Sequence, residues 1–188
     1  LDRRARSHDE ISSLLGAPVL ALLPDPRRRD GLPSVVARTD RSSPGAEAFR
    51  TLRTHLKFVL ATRGGRAVLV TSGSQGEGKT YVATNVALSA ASAGDDVILI
   101  DADLRSPNAH RYLALPGAPG LTDVVAGETS LESALITVAL PAHASPTGRL
   151  RFLPAGRRIP NPGEFIASDA VAAHLSRLAS SDAGLVII

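Results

Sequence analysis

A glycine-rich stretch carries the clearest chemical pattern in the sequence. Residues 73–80, GSQGEGKT, match G-x-x-x-x-G-K-[ST] between a strand-like apolar run and a helix-like run. In such a loop, successive backbone N–H groups surround a phosphate chain, and the helix N-terminus adds a favourable dipole. The pattern predicts a phosphate-binding loop with these contacting residues: Gly73, Ser74, Gln75, Gly76, Glu77, Gly78, Lys79, Thr80 and Tyr81.

Lys79 is one of two lysines in the chain, whereas nearly all other basic residues are arginine. A compact ammonium on a flexible stem can reach the β- and γ-phosphates of a nucleotide, where the bulkier guanidinium fork would substitute poorly. Thr80 offers a hydroxyl group to Mg²⁺. A glycine-rich turn without a ligand is the alternative, which the placement between a strand and a helix disfavours.

Two carboxylates follow the next apolar run, DVILID at 96–101. Asp101 and Asp103 would lie at the carboxyl end of a buried strand, where α/β sheets bind their ligands. They can hold Mg²⁺ directly or through water, and one can accept a proton from an attacking hydroxyl group. Arg105 could pair with either carboxylate or with phosphate. Capping of the strand end is the alternative for the pair.

The elements that must position these residues alternate between strand and helix patterns. Apolar runs predict strands at 18–24, 67–72, 96–101, 150–153 and 185–188. Helical patterns occur at 7–15, 45–60, 79–93 and, with a break, from 161 to about 180, and helical pieces lie within 122–136. This alternation predicts an α/β fold of the P-loop NTPase type, with three α/β/α layers and a mostly parallel sheet.

Composition limits the classes of function. With 188 residues and 44% hydrophobic content, the chain suits one ordinary domain plus an appendage. We place the boundary between an N-terminal segment and linker, 1–44, and a nucleotide-binding domain, 45–188. A net charge of +3 and 3% aromatic content argue against a nucleic-acid partner, and the lack of cysteine excludes disulfides. The five histidines have no ligand spacing, so we expect surface or packing roles for them.

Together these motifs resemble the bacterial tyrosine kinases (BY-kinases), which partner or fuse with polysaccharide chain-length determinants. The segments SGSQGEGKT, ILIDADLR and EAFRTLR resemble the family patterns S-x-x-x-G-E-G-K-[ST], D-x-D-x-R and E-x-x-R-x-x-R. LPAGRRIPNPGEFIAS and the first 24 residues resemble further family segments, so the resemblance covers nearly the whole chain.

The resemblance implies a site and a reaction. It implies that Lys79 and Thr80 bind ATP and Mg²⁺, and that Asp101 and Asp103 bind the metal and activate a tyrosine hydroxyl group. Lys79, Asp101 and Asp103 would then be the catalytic residues. The implied activity is ATP-dependent tyrosine autophosphorylation that regulates polymerisation and export of a capsular polysaccharide or exopolysaccharide.

The resemblance also implies partners and a location. Glu47, Arg50 and Arg53 would lie at a subunit interface of a homo-oligomer; without the resemblance they are a solvated helix face with an i,i+3 ion pair. The other implied partners are a membrane chain-length determinant region in the same polypeptide and a tyrosine phosphatase. The implied location is the cytoplasmic face of the bacterial cell membrane, with residues 1–44 as a juxtamembrane segment.

In the family, the last strand runs directly into an aspartate, whereas this sequence stops at Ile188. We therefore expect a domain truncated at its C-terminus, which by itself binds nucleotide weakly and is not a competent kinase. The sequence has two tyrosines, Tyr81 and Tyr112. We expect Tyr81 to pack within the helix rather than to accept phosphate.

Two other classes of function stay open. Switch ATPases that position division sites share this fold, but they carry an early lysine in the loop, K-G-G-x-x-K-[ST], where this chain has Ser74. The other class is a non-catalytic ATP-binding module that only assembles with a membrane chain-length determinant. Substitution of Lys79 discriminates it from a kinase.

Overall fold

The computed structural model describes residues 7–25, 42–180 and 183–188. Most of the predicted linker, residues 26–41, therefore lies outside the described residues, as do 1–6. The helices are α1 (His8–Leu15), α2 (Pro44–Arg63), α3 (Lys79–Ser92), α4 (Ala109–Leu113), α5 (Leu121–Val125), α6 (Leu131–Ala134), α7 (Pro162–Ile166) and α8 (Asp169–Ala179). The strands are β1 (Ala67–Val68), β2 (Asp96–Ile100), β3 (Ile136–Thr137), β4 (Arg149–Leu153) and β5 (Leu185–Ile187).

The strands form one five-stranded sheet in the order β1-β5-β2-β4-β3. β2 is central and pairs in parallel with β4 and β5, with Val97 opposite Leu150 on one side and Leu185 on the other. β3 alone among these strands is antiparallel, to β4. The sheet confirms the predicted α/β fold with mostly parallel strands.

Helices cover both faces of the sheet. Side chains alternate along β2, so that Val97 and Leu99 join one buried cluster while Ile98 and Ile100 join the other. The first cluster also takes buried residues from α2, α3 and α4, and the second takes them from α5, α6 and α8. Three layers result, and the central strands are apolar on both faces because both faces are covered.

Helix α2 begins and ends where its sequence predicts. The Ser43 hydroxyl accepts a hydrogen bond from the Ala46 N–H at 3.1 Å, and Pro44 fills the first turn, where no N–H is needed. Gly64 ends the helix in the left-handed conformation, with φ of +66°. The helix is three residues longer than the predicted 45–60 at its C-terminal end, and Phe49 and Leu52 bury one of its faces.

The prediction of a six-residue buried strand at 67–72 is wrong in length and burial. Only Ala67 and Val68 form the strand, and Leu69 is 70% exposed. The reason is position, because β1 lies at an edge of the described sheet and has β5 on one side only. The backbone stays near β5 a little further, since the Val70 N–H donates to the Ile188 carbonyl at 2.9 Å.

The predicted strand at 18–24 is also wrong, because residues 18–25 belong to no helix or strand. Leu20, Ala21 and Leu23 instead pack against the buried cluster that α2 and α3 build on the sheet. Their apolar character reflects this packing and not strand pairing. No helix in the described ranges combines the length and the apolar composition that crossing a bilayer requires.

Candidate functional site

The glycine-rich loop joins β1 to α3, and the helix starts at the lysine of the motif. Gly76 and Gly78 have φ of +83° and +93°, a region that glycine enters without strain. Gly78 is the residue before the first turn, and no side chain caps the helix N-terminus. The N–H groups of Lys79 and Thr80 at the start of α3 are therefore available to an anion, whose charge the helix dipole favours.

Two side chains of the loop contact its own backbone. The Glu77 carboxylate accepts a hydrogen bond from the Ser74 N–H at 3.1 Å, and the Ser72 hydroxyl donates to the Ser74 carbonyl at 2.8 Å. Both contacts engage the peptide groups at Ser74, three residues before Glu77. They stabilise the loop in a defined shape before any ligand binds.

The structure brings the predicted catalytic residues together. Lys79, Thr80, Asp101 and Asp103 line one cavity of about 270 Å³ at the carboxyl ends of the central strands. Ile188, which follows β5, also lines it. Residues more than twenty positions apart in sequence therefore face the same space, while their catalytic and metal-binding roles stay predictions.

Asp101 has a second role that the sequence did not reveal. Asp101 is 5% exposed, and its carboxylate accepts backbone hydrogen bonds from Asp103 at 3.2 Å, Asn108 at 3.1 Å and Ala109 at 3.0 Å. It thereby fixes the loop that leads into α4. Burial raises the pKa of Asp101, helped by the neighbouring charge of Asp103 and opposed by these backbone hydrogen bonds.

Asp103 is the more open of the two carboxylates. One of its oxygens, Oδ1, accepts a hydrogen bond from the Ser106 N–H at 3.0 Å. Asp101 uses both oxygens for backbone contacts, with two N–H groups on Oδ2. Asp103 therefore offers more free lone pairs to a cation. Arg105 forms no ion pair with either carboxylate in the described structure, and it is exposed.

A larger cavity, of about 700 Å³, lies beside the loop. One wall consists of residues 21–25, and the other of residues 74–78 with Tyr81 and Val82. Tyr81 is 3% exposed, and its ring meets that of Phe49 edge to face, with centroids 5.4 Å apart. Its place in the buried cluster agrees with the expected packing role.

The three residues of the predicted interface lie on α2, away from the phosphate loop. The Glu47 carboxylate pairs with Arg50, whose Nε donates at 2.9 Å, and Arg53 Nη1 donates to the Ser89 carbonyl of α3 at 3.1 Å. Arg50 and Arg53 line a separate cavity of about 250 Å³ with His143. Glu47 and Arg50 thus form the expected i,i+3 pair, and Arg53 also joins the two helices.

Sequence reasoning missed a loop clamp between the start of α5 and the segment that follows β4. The Asp123 carboxylate accepts hydrogen bonds from Gly120 N–H at 2.7 Å and Arg157 Nε at 2.6 Å, and Arg157 also contacts Glu128. Burial opposes ionisation of Asp123, but the hydrogen bonds from Arg157 and Gly120 outweigh it and lower its pKa. An aspartate three residues after Gly120 at a helix start was the available signal.

Comparison with known proteins agrees with the fold and the loop. Residues 68–152 match the model of the CobQ/CobB/MinD/ParA nucleotide binding domain. The tyrosine-protein kinase YwqD of Bacillus subtilis is 38% identical over 135 residues, which are 72% of this chain and 54% of that protein. The tyrosine-protein kinase wzc of Salmonella typhi is 33% identical over 144 residues, 76% of this chain and 19% of that protein.

A solved structure titled BceF Tyrosine Kinase Domain has a TM-score of 0.81 and 26% identity, covering 97% of this chain and 74% of that one. The fold and the loop thus define a P-loop nucleotide-binding domain of the MinD/ParA type. Within that class, the homologues of this chain are bacterial tyrosine-protein kinases. It spans about half the length of YwqD and a fifth of the length of wzc.

Proposed function

We propose that this chain is the nucleotide-binding part of an ATP-dependent protein-tyrosine kinase that phosphorylates itself and regulates capsular or exopolysaccharide polymerisation and export. The observation that carries the proposal is the cavity shared by Lys79, Thr80, Asp101 and Asp103 at the N-terminus of α3. A phosphate site and a pair of carboxylates on neighbouring elements are the parts that phosphoryl transfer needs. The kinase names of the homologues support the same reading.

In this proposal ATP lies across both cavities. Its phosphates meet the backbone N–H groups at the start of α3, at Lys79 and Thr80, and the ammonium group of Lys79 pairs with the β- and γ-phosphates. The nucleoside takes the larger cavity between residues 21–25 and the loop, where about 700 Å³ is available. The contacts are to phosphate and backbone, so positioning and charge neutralisation do most of the work.

The oxygen donors fit Mg²⁺. Thr80 supplies a hydroxyl group and Asp103 a carboxylate, with Asp101 near enough to act directly or through water. Among the described residues no group of three or more His, Cys, Asp or Glu side chains could hold a metal, so phosphate oxygens and water would complete the shell. When bound, Mg²⁺ supplies positive charge that neutralises the β- and γ-phosphate oxygens.

Asp101 is the proposed proton acceptor. As the tyrosine oxygen bonds to the γ-phosphorus, the bond from that phosphorus to the β,γ-bridging oxygen breaks and ADP leaves. The hydroxyl proton passes to the Asp101 carboxylate, whose pKa is raised by burial and therefore lies nearer neutral pH. Asp103 holds the metal, and its hydrogen bond from Ser106 fixes its orientation.

The wider assignment is also a proposal. Residues 1–44 would connect the 45–188 domain to a membrane chain-length determinant region at the cytoplasmic face of the bacterial membrane. Glu47, Arg50 and Arg53 would contact a neighbouring copy in a homo-oligomer, and a tyrosine phosphatase would reverse the modification. The pairing of Glu47 with Arg50 leaves this helix face polar, as a subunit rim is.

Substitution of Lys79 tests the proposed function. In the full-length protein with Mg²⁺ and ATP, we expect phosphotyrosine that disappears in Lys79→Met, because the charge on the γ-phosphate loses its partner. The 188-residue chain alone should give no phosphotyrosine. The control is His174→Asn on α8, whose helix packs against β5 and away from the loop.

An immunoblot for phosphotyrosine with a parallel nucleotide-binding measurement reads the outcome. ATP binding or hydrolysis without phosphotyrosine in the full-length protein would reject the kinase and favour a switch ATPase or an ATP-binding scaffold. Equal phosphotyrosine in Lys79→Met and in the unsubstituted protein would show that the loop does not hold the transferred phosphate.

A further inference from the structure

Residues 18–25 lie between α2 and the larger cavity, with Leu20 in contact with α2 and residues 21–25 lining the cavity. They belong to no helix or strand, yet residues 21–25 line one side of the 700 Å³ space that faces the phosphate loop. The opposite wall is built on α3 and the loop, which the sheet holds in place. The width of the cavity therefore depends on what fixes an irregular segment.

Two kinds of contact fix this segment. Leu20, Ala21 and Leu23 pack against the same buried cluster as Leu56 and Leu60 of α2. Such packing is non-directional, so it holds the segment near α2 without defining its position along the helix. A directed contact is also present, because Nδ1 of His55 on α2 lies 2.5 Å from the carbonyl oxygen of Leu20.

The direction of the His55 hydrogen bond follows from its partner. A carbonyl oxygen can only accept, so Nδ1 carries the proton and donates it. Leu20 immediately precedes Ala21, the first residue of the cavity wall. The hydrogen bond thus fixes the backbone of the segment at Leu20, directly before the residues that line the cavity.

We propose that His55 is a positioning residue for nucleotide binding, which acts through the Leu20 carbonyl to set the wall formed by residues 21–25. His55 is not among the residues that line the cavity, so it acts on the ligand indirectly and does not contact it. The proposal rests on the proposed function, because it takes the cavity to be the nucleotide site. It gives a role to one of the five histidines that the sequence left without one.

Three variants of the chain separate the hydrogen bond from packing. His55→Ala removes the donor and, because alanine is the strongest helix former, does not weaken the exposed helix. His55→Asn keeps a donor, since its side-chain amide nitrogen can take the place of Nδ1. His174→Ala on α8 is the matched histidine control, distant from residues 18–25.

The dissociation constant of a fluorescent ADP analogue, measured with Mg²⁺, gives the main result. We expect His55→Ala to bind about three- to tenfold more weakly, which is the effect of losing one hydrogen bond. His55→Asn should stay within about twofold of the unsubstituted chain, and His174→Ala should not change. In the full-length kinase, the KM for ATP should rise in His55→Ala while kcat is kept.

Amide hydrogen exchange without nucleotide gives an independent result. Residues 19–23 should exchange faster in His55→Ala than in His55→Asn, while α3 should be unchanged. Equal exchange in the two variants, or equal nucleotide affinity, would overturn the proposal. An unsubstituted chain that binds no ADP analogue, although its exchange still responds to His55→Ala, would instead refute the nucleotide site itself, which keeps the two failures distinguishable.

Discussion

Asp101 illustrates how much a single residue can hide from sequence reasoning. Its place at the end of an apolar strand predicted that it would face the phosphate loop, and it does line the same cavity as Lys79. Its three backbone hydrogen bonds could not be predicted, because they depend on how residues 103–109 fold back over the strand end. The residue type and its position were therefore enough to predict the place of Asp101 in the cavity, but not its hydrogen bonds to the following loop.

At Glu77, charge and hydrogen bonding make opposite contributions. Its carboxylate stabilises the loop through the Ser74 N–H, yet it places a negative charge beside the proposed phosphates. We expect Glu77→Gln to bind Mg²⁺·ADP at least as tightly as the unsubstituted chain, because the amide oxygen keeps the acceptor. Glu77→Ala should bind about two- to fivefold more weakly, since that acceptor is lost. Isothermal titration at low ionic strength measures both.

His174→Ala on α8 is the control for that comparison, because His174 lies outside the loop and lines neither of the two cavities. If Glu77→Gln weakens binding as much as Glu77→Ala, the negative charge is required, and the hydrogen bond from the Ser74 N–H is not what stabilises the loop.

At the scale of elements, the predictions succeeded where one segment decides its own structure. Helix α3 follows from the glycine loop, and α2 follows from its serine cap and proline. They failed where a neighbouring element decides. An apolar run predicts a buried strand whether that strand has two neighbouring strands or one. The edge position of β1 could therefore not be predicted from its sequence. The strand predicted at 18–24 was wrong because its apolar residues pack against the buried cluster, which the sequence pattern alone does not distinguish from strand pairing.

The clamp formed by Asp123 and Arg157 supports a prediction about two loops. Asp123 is 2% exposed and Arg157 is 66% exposed at their side chains, so removing the acid should cost more. We expect Asp123→Ala to lower the free energy of unfolding by about 1–3 kcal/mol, because buried N–H groups lose their acceptor. Arg157→Ala should cost less than about 1 kcal/mol, since its charge stays in water. Urea unfolding measures both, with Arg158→Ala as the exposed control.

The clamp also has a pH signature. The folded state holds the pKa of Asp123 below its usual value of 3.8, so this group contributes its stability above that value. The contribution should be complete above about pH 5 and should disappear as the pH falls through the folded-state pKa. Asp123→Ala should therefore be less stable at pH 7 and approach the unsubstituted chain in acid. A constant difference between pH 3 and pH 7 would contradict the ion pair.

At the scale of the whole molecule, the alternation of strands and helices was enough to predict the class of fold. The order of the strands was not predictable, since it depends on which strand ends the crossovers reach. The antiparallel β3 was also missed, because Ile136 and Thr137 are too short a run to show a period. The similarity of the whole chain to a tyrosine-kinase domain, with a TM-score of 0.81, agrees with the part that was predicted.

Helix α2 carries both the predicted subunit contacts and the His55 hydrogen bond to the cavity wall. If copies of the chain assemble through Arg50, ligand occupancy and assembly become thermodynamically linked. Reciprocity then requires that any factor by which nucleotide tightens assembly is the same factor by which assembly tightens nucleotide binding.

The affinity of the full-length protein for nucleotide should then increase with protein concentration. We expect the apparent dissociation constant of an ADP analogue to fall across the concentration range in which sedimentation detects assembly. It should stay constant in Arg50→Ala and become independent of assembly in His55→Ala. A constant value in the unsubstituted protein, despite assembly, would mean that α2 transmits nothing. If the affinity does rise with assembly, the local concentration of the protein at the membrane would determine how much ATP each copy binds.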